Sequence, residues 1–172
     1  MKEEYLLVDG YNIIFAWSEL QKLAKDNLES ARGRLQDILC NYQGFCQNEV
    51  IVVFDGHLVS GNLGTVYPYH NIQVIFTKEA ETADQYIEKT IYQFDRKRQI
   101  RVATSDRMEQ MIILGSGAFR ISAQEFYREV KETSKIIQKE YLDKTKRTKN
   151  LLFDYASPDL AKWLENIRLN KK

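Results

Sequence analysis

Cysteine is scarce in this chain: its 172 residues contain two, Cys40 and Cys46, both on a segment with helical spacing. Two thiols make neither a disulfide framework nor a Cys-x-x-Cys metal pair, so they are expected to be core thiols in a reducing compartment. Histidine is equally rare. His57 and His70 fall in a glycine-containing stretch and are expected at the surface, and without a His/Cys ligand set zinc and redox metals are poor candidates. No apolar run approaches the ~18 residues of a membrane span. Met1-Lys2-Glu3-Glu4 leads directly into an apolar strand, without the basic start and longer apolar stretch of a signal peptide. A cytoplasmic protein with no membrane partner is the expectation. Also missing are a Gly-x-x-x-x-Gly-Lys-Ser/Thr phosphate loop, a Gly-x-Ser-x-Gly elbow and a usable Cys/His pair. Their absence leaves nucleoside triphosphate binding by that loop and serine or cysteine nucleophilic catalysis unsupported, and no organic cofactor is expected.

What is present is an ordinary globular balance, 44% hydrophobic and 28% charged. The length suits one domain over residues 1–172, with a core at about 5–140 and a basic loop and helix at about 141–172. The net charge of +1 conceals an asymmetry: residues 1–86 carry 6 Lys+Arg against 12 Asp+Glu, and residues 87–172 carry 19 against 12. An acidic front and a basic back suit a metal site beside a groove for a polyanion, and equally suit solvated helix faces.

Apolar runs at Tyr5–Val8, Val50–Phe54, Ile72–Phe76 and Ile100–Thr104 read as buried strands, with a shorter fifth at Phe119–Ile121. Helical spacing links Leu28, Ala31, Leu35, Ile38, Leu39 and Tyr42, predicting a helix over about 27–46. Ala83, Ile87, Ile91 and Phe94 predict another over about 82–96, and Met108, Met111 and Ile112 a short one. Residues 57–70, with Gly61, Gly64 and Pro68, read as a loop. Ser122-Ala-Gln-Glu125 is a capping box opening a helix that carries Phe126, Val130, Thr133 and Ile137. The polar, basic stretch from Asp143 to Asn150 reads as a loop, and Ser157-Pro158 as the start of a last helix. Strands alternating with helices imply right-handed crossovers, hence an α/β fold with a central parallel sheet flanked by helices.

Open α/β sheets place their sites beyond the carboxyl ends of the strands. Three strands here lead into aspartate: Asp9, Asp55 and Asp106. Asp84 falls in the first turn of the helix after the third long strand, with Glu81 just ahead of it. A lone strand-end aspartate is usually a cap or turn former. Several converging on one sheet edge repel one another unless a cation neutralises them. A hard divalent ion with oxygen ligands, Mg²⁺ or Mn²⁺, is the economical partner, and metal-dependent phosphodiester hydrolysis is the best chemical fit.

Leu-Val-Asp-Gly-Tyr-Asn (7–12), Val-Phe-Asp-Gly (53–56), Glu-Thr-Ala-Asp-Gln-Tyr-Ile-Glu (81–88), Ala-Thr-Ser-Asp-Arg (103–107) and Gly-Ala-Phe-Arg-Ile-Ser-Ala (117–123) occur in that order. Over about residues 5–130 this ordered set resembles the YacP-like branch of the NYN domain family, which is related to PIN-domain nucleases. The resemblance implies a single PIN-like NYN domain and a metal-dependent endoribonuclease acting on single-stranded RNA. It carries Asp9, Asp84 and Asp106 over as metal-binding carboxylates, and Asn12 and Asp55 as further catalytic-site residues. Because the branch includes a ribosome-associated enzyme that cleaves mRNA in the A site, it also implies mRNA and the ribosome as partners.

Each residue also has a plainer role. Asp84 can stabilise a helix N-terminus, Asp55 can form a turn before Gly56, and Asn12 can cap a short helix beginning near Ile13. Thr82, Thr104, Ser105 and Glu81 are expected to support the ligands by hydrogen bonds. Capping serves Thr82 and Ser105 as well, and Glu81 is either a ligand or a solvent-facing acid. Glu88, one turn after Asp84, is expected at the surface. For holding RNA the candidates are Arg96, Lys97, Arg98 and Arg101, then Lys144, Lys146, Arg147 and Lys149, with Arg107 beside Asp106. Tyr67 and Tyr69 can stack on bases or pack their loop onto the domain. Two competing functions stay open: a PIN-like protein that binds RNA or ribosomes without cutting, and a phosphatase or structure-specific DNA nuclease.

Overall fold

The computed structural model describes residues 4–59, 64–94, 98–105 and 117–154, with side chains as far as residue 143. Glu4–Asp9 (β1) is followed by three helices, Gly10–Ala16 (α1), Ser18–Asp26 (α2) and Leu28–Cys46 (α3). Next come Glu49–Phe54 (β2), a 3₁₀ turn at Gly56–Leu58, Thr65–Tyr69 (β3), Ile72–Phe76 (β4) and Ala83–Gln93 (α4). Gln99–Thr104 (β5), Phe119–Ser122 (β6) and Ala123–Asp154 (α5) complete the described elements. The six strands form one sheet in the order β3-β4-β2-β1-β5-β6. All pairs are parallel except the β3–β4 hairpin at one edge. This is the expected α/β architecture.

The strands are buried on both faces, which is why they read as continuous apolar runs rather than alternations. Leu6, Val8, Val52, Phe54 and Val74 point into a core shared with α1, α2, α3 and the start of α5. Their neighbours Leu7, Val53 and Ile75 point the other way, onto Ala83, Ile87 and Ile91 of α4. Trp17, at the joint between α1 and α2, is buried, and its indole N–H donates to the Ala123 carbonyl at 2.8 Å. That bond ties the first helices to the start of α5.

Three sequence expectations need correction. The stretch 57–70 is not loop throughout: β3 forms there, with Pro68 opposite Gln73. Proline lacks the N–H a central strand needs but is tolerated on an edge, and β3 is the edge. The chain also turns into two helices, α1 and α2, between Asp9 and Asn27, where the sequence suggests at most a short helix beginning near Ile13. Residues 143–150 continue α5 rather than forming a loop. No glycine or proline interrupts residues 118–157, and lysine and arginine favour helix. By contacts the chain divides into two compact units, Met1–Thr133 and Ser134–Lys172, and the sheet lies wholly in the first. The short helix expected after Met108 and the one expected from Ser157 lie outside the described residues.

Candidate metal-dependent nuclease site

The chain crosses from one side of β1 to the other after β4, so the β1–β5 boundary is the switch point of the sheet. Beyond the carboxyl ends of the strands at this place lies a cleft of about 390 Å³, lined by Asp9, Tyr11, Asn12, Phe15, Ala16, Asp55, Thr82, Asp84 and Ser105. Six of the residues picked from sequence as ligands, catalytic groups or their supports, Asp9, Asn12, Asp55, Thr82, Asp84 and Ser105, thus stand with three that were not picked for chemistry. Register explains the convergence. Asp9 is level with Val53, two residues before Asp55, and Ala103 is level with Val8, which puts Thr104 and Ser105 at the same end.

Asp9 is the most constrained carboxylate, only 3% exposed. It is both a strand end and the N-cap of α1. Its Oδ1 accepts from the Asn12 backbone N–H at 3.1 Å, and its Oδ2 accepts from Asn12 Nδ2 at 2.7 Å. Ser105 Oγ in turn donates to Asn12 Oδ1 at 2.6 Å. Asn12 therefore works as an orienting residue, held by β5 and holding β1's carboxylate. Burial pushes the Asp9 carboxyl up to about 6; the Asn12 bonds pull against that, and the charges of Asp84 and Asp55 add to the rise. Gly10 follows Asp9 because no larger residue fits: an added Cβ would lie 2.2 Å from the Phe54 ring.

Asp55 and Asp84 reach the cleft from opposite ends of one junction. Asp55 Oδ1 accepts from the Ala83 N–H at 2.8 Å, fastening the end of β2 to the first turn of α4. Thr82 caps that helix, with Gln85 completing a capping box. Thr77 was not found from sequence. It is buried, its Oγ1 accepts from the Gly56 N–H at 3.0 Å, and it donates to the Glu81 carbonyl at 2.6 Å. It thereby clamps the β4–α4 connection to the residue after Asp55. The only signal was its position, just past a strand end. Phe15 was also missed. Its ring is 51% exposed on the cleft rim and stacks on Tyr11 at 6.3 Å.

Other candidates stand elsewhere. Glu81 is not among the cleft-lining residues, and its carboxylate lies 3.9 Å from Lys89 Nζ. Thr104 is fully buried beneath the cleft floor. His57 is exposed, as expected, although its Nδ1 comes within 3.8 Å of Asp55. Arg101 makes a two-pronged pair with Glu129 at 2.6 and 3.0 Å, which Tyr42 joins through its hydroxyl. It is level with Leu6, three residues short of Asp9, so it serves the fold and not an RNA surface at the cleft. Arg98 lies over the Tyr5 and Phe94 rings, beyond the start of β5 and at the far end of the strands. Tyr67 stacks on Phe76, and the Tyr69 hydroxyl donates to Asp37, so both pack the edge hairpin rather than standing free. Asp106, Arg107, Arg96 and Lys97 lie outside the described residues, as do the side chains of Lys144, Lys146, Arg147 and Lys149.

The donor set of the cleft is all oxygen, which fits Mg²⁺ or Mn²⁺ and not a soft metal. A carboxylate buried against two others in charge contact has a clear use for a cation. Among the described residues no three Asp, Glu, His or Cys side chains form a complete ligand group by themselves.

The YacP-like NYN domain model matches residues 6–169. The chain belongs to the YacP-like NYN domain family. NYN domains are PIN-like nuclease domains. Within the family, the chain is 47% identical over 137 residues to the Bacillus subtilis protein YacP, covering 79% of this chain and 80% of that one. A crystal structure of Rae1 (YacP) from Bacillus subtilis matches with a TM-score of 0.73 and 42% identity, covering 99% of this chain and 96% of the other. The structure of its W164L mutant matches with a TM-score of 0.73 and 43% identity over 83% of this chain and 84% of the other. Among the described residues no helix is long and apolar enough to cross a membrane.

Proposed function

We infer that this NYN domain is a divalent-metal-dependent endoribonuclease that cuts single-stranded RNA at the Asp9 cleft, with mRNA in the ribosomal A site as its substrate. The observation that carries the reading is the nearly buried Asp9, pinned by Asn12 and facing the charges of Asp84 and Asp55. Asp9 and Asp84 would hold Mg²⁺ or Mn²⁺ together with Asp106. When bound, such an ion lowers the pKa of a coordinated water and offsets charge building on the phosphate. Asn12 fixes the rotamer of Asp9, so its oxygens do not have to reorganise during reaction. Asp55, with one oxygen committed to α4, positions the junction that carries Asp84 and offers its second oxygen to the cleft. Phe15 provides an exposed ring on which a base next to the scissile phosphate can stack. Lys144, Lys146, Arg147, Lys149 and Arg107 would supply sequence-independent phosphate contacts.

The test is to map RNA ends after incubation with Mg²⁺ or Mn²⁺, using one message with translating ribosomes, the same message alone, and a DNA copy. Cuts in the translated message support the reading, and cuts confined to it identify the ribosome as the positioning partner. Cutting of DNA in preference to RNA, or of nothing across several messages, contradicts it.

A further inference from the structure

A second groove, of about 310 Å³, lies between α3 and the edge hairpin, lined by Glu29, Arg32, Gly33, Gln36, Tyr67 and Phe76. It adjoins the acidic cleft through one hydrogen bond: Arg32 Nη1 donates at 3.1 Å to the hydroxyl of Tyr11, which lines that cleft. An aromatic row runs between the two, with Tyr11 against Phe54 at 5.2 Å, Phe54 against Phe76 at 5.3 Å and Phe76 against Tyr67 at 6.3 Å.

Two features leave the groove open to a ligand. Gln36 is 5% exposed as a residue, and it lines the groove with no protein hydrogen-bond partner for its amide among the described residues. Solvent in the groove is the partner left to this amide, and the polar edge of a ligand can take its place. Gly33 sits in the interior of α3, where glycine is the poorest ordinary helix former. An added Cβ would meet no atom within 4 Å, and its backbone is not in the left-handed region, so neither packing nor conformation calls for glycine. Both suit a planar, polar-edged molecule entering the groove.

We propose that this groove holds the base of a substrate nucleotide adjacent to the one cut at the Asp9 cleft, and so sets base preference. The base would pack beside the Tyr67–Phe76 pair, which lines the groove. Its edge would meet the donor and acceptor of Gln36 and the remaining N–H groups of Arg32, whose guanidinium is steadied 5.7 Å over the Phe76 ring. Gly33 leaves the room. This rests on the reading of the chain as a ribonuclease, and the test separates the two.

The full chain is titrated with the four nucleosides, their 5′-monophosphates and inorganic phosphate, following backbone amide NMR signals, and cleavage is assayed in parallel. The comparison uses Gly33→Leu, which fills open space with a better helix former, and Gln36→Leu, which removes the unpartnered amide. Both variants should keep or raise thermal stability. A nucleoside should shift the signals of Gly33, Gln36 and Tyr67, and each variant should weaken it on the order of tenfold, as expected for loss of one base contact. In cleavage, KM should rise by a similar factor and the preference for one base beside the cut should flatten, with kcat retained. If the natural chain cuts RNA but binds no nucleoside here, and the variants keep the same cut sites and KM, the base-site proposal is overturned and the nuclease reading stands. Nucleoside binding in the groove without RNA cleavage has the reverse meaning. Equal shifts from inorganic phosphate would mean an arginine anion site and overturn base recognition. Neither binding nor cutting overturns both.

Discussion

Replacing Asp9 with asparagine should make the metal-free protein more stable while removing its chemistry. Burial and the neighbouring acids raise the Asp9 carboxyl from 3.8 to about 6. At neutral pH that rise corresponds to about 3 kcal/mol by which the ionised form weakens the fold, at 1.36 kcal/mol per pKa unit. Asparagine keeps the shape and removes the charge. It accepts from the Asn12 backbone N–H as Asp9 does, and one amide flip at Asn12 lets the two side chains pair while Asn12 Nδ2 turns to Ser105 Oγ. Loss of the anion at the start of α1 offsets roughly 1 kcal/mol of the gain. The net is about 2 kcal/mol, or roughly 4–8 °C in Tm for a chain of this size. The sign with pH follows from the raised value. Below the unfolded value both states are protonated and the penalty is absent; it grows as pH rises through the folded value and is complete above about 6. Thermal melts with EDTA should therefore show Asp9→Asn above the natural chain at pH 7.5, with the gap closing near pH 4. A variant less stable than the natural chain at pH 7.5, or a gap independent of pH, refutes the description of Asp9 as a strained carboxylate. Added Mn²⁺ should raise the Tm of the natural chain and leave the variant nearly unmoved.

Phe15→Ala should leave stability within about 0.5 kcal/mol, since the ring is half exposed, and weaken single-stranded RNA binding by about 1–3 kcal/mol in a filter or fluorescence titration. Thr77→Val should cost about 1–3 kcal/mol in urea unfolding, because the Gly56 N–H is left buried and unpaired, and should lower activity through the displaced Asp55–Asp84 junction. Arg101→Met should destabilise by about 2 kcal/mol without changing the salt dependence of RNA binding. Burial alone would raise the Glu129 carboxyl, but the bonds from Arg101 and Tyr42 outweigh it and hold the group below its ordinary value. The stabilisation is therefore present above that ordinary value and disappears as pH falls through the depressed one, so the cost of Arg101→Met should shrink in acid.

The parallel strands were legible because a strand buried on both faces is a short apolar run with a clear end, and each end fell within a residue or two of the observed one. The cleft was legible for the same reason: a strand that stops at an aspartate places that aspartate on the carboxyl edge, and register does the rest. β3 was obscured by Gly64 and Pro68, which signal a loop except at an edge, and edge position is a property of the assembled sheet. The helical course of 143–150 was hidden by polarity, which says nothing against a helix lacking glycine and proline. Charge was the least reliable guide. Arg98 and Arg101 look alike in sequence to an RNA-binding cluster, yet one covers two aromatic rings and the other is claimed by Glu129, partners brought near only by folding. Thr77 and Gln36 carried no local pattern, since their significance lies in what surrounds them.

The most direct measurement of the central claim is single-turnover cleavage of a translated message in Mn²⁺ by the natural chain and by Asp9→Asn, with both shown folded by their melts. Cutting by the natural chain and none by a variant of equal or higher Tm would establish that the buried carboxylate exists for chemistry and not for the fold. Cutting at the natural rate by folded Asp9→Asn would contradict the assignment of the cleft as the nuclease site.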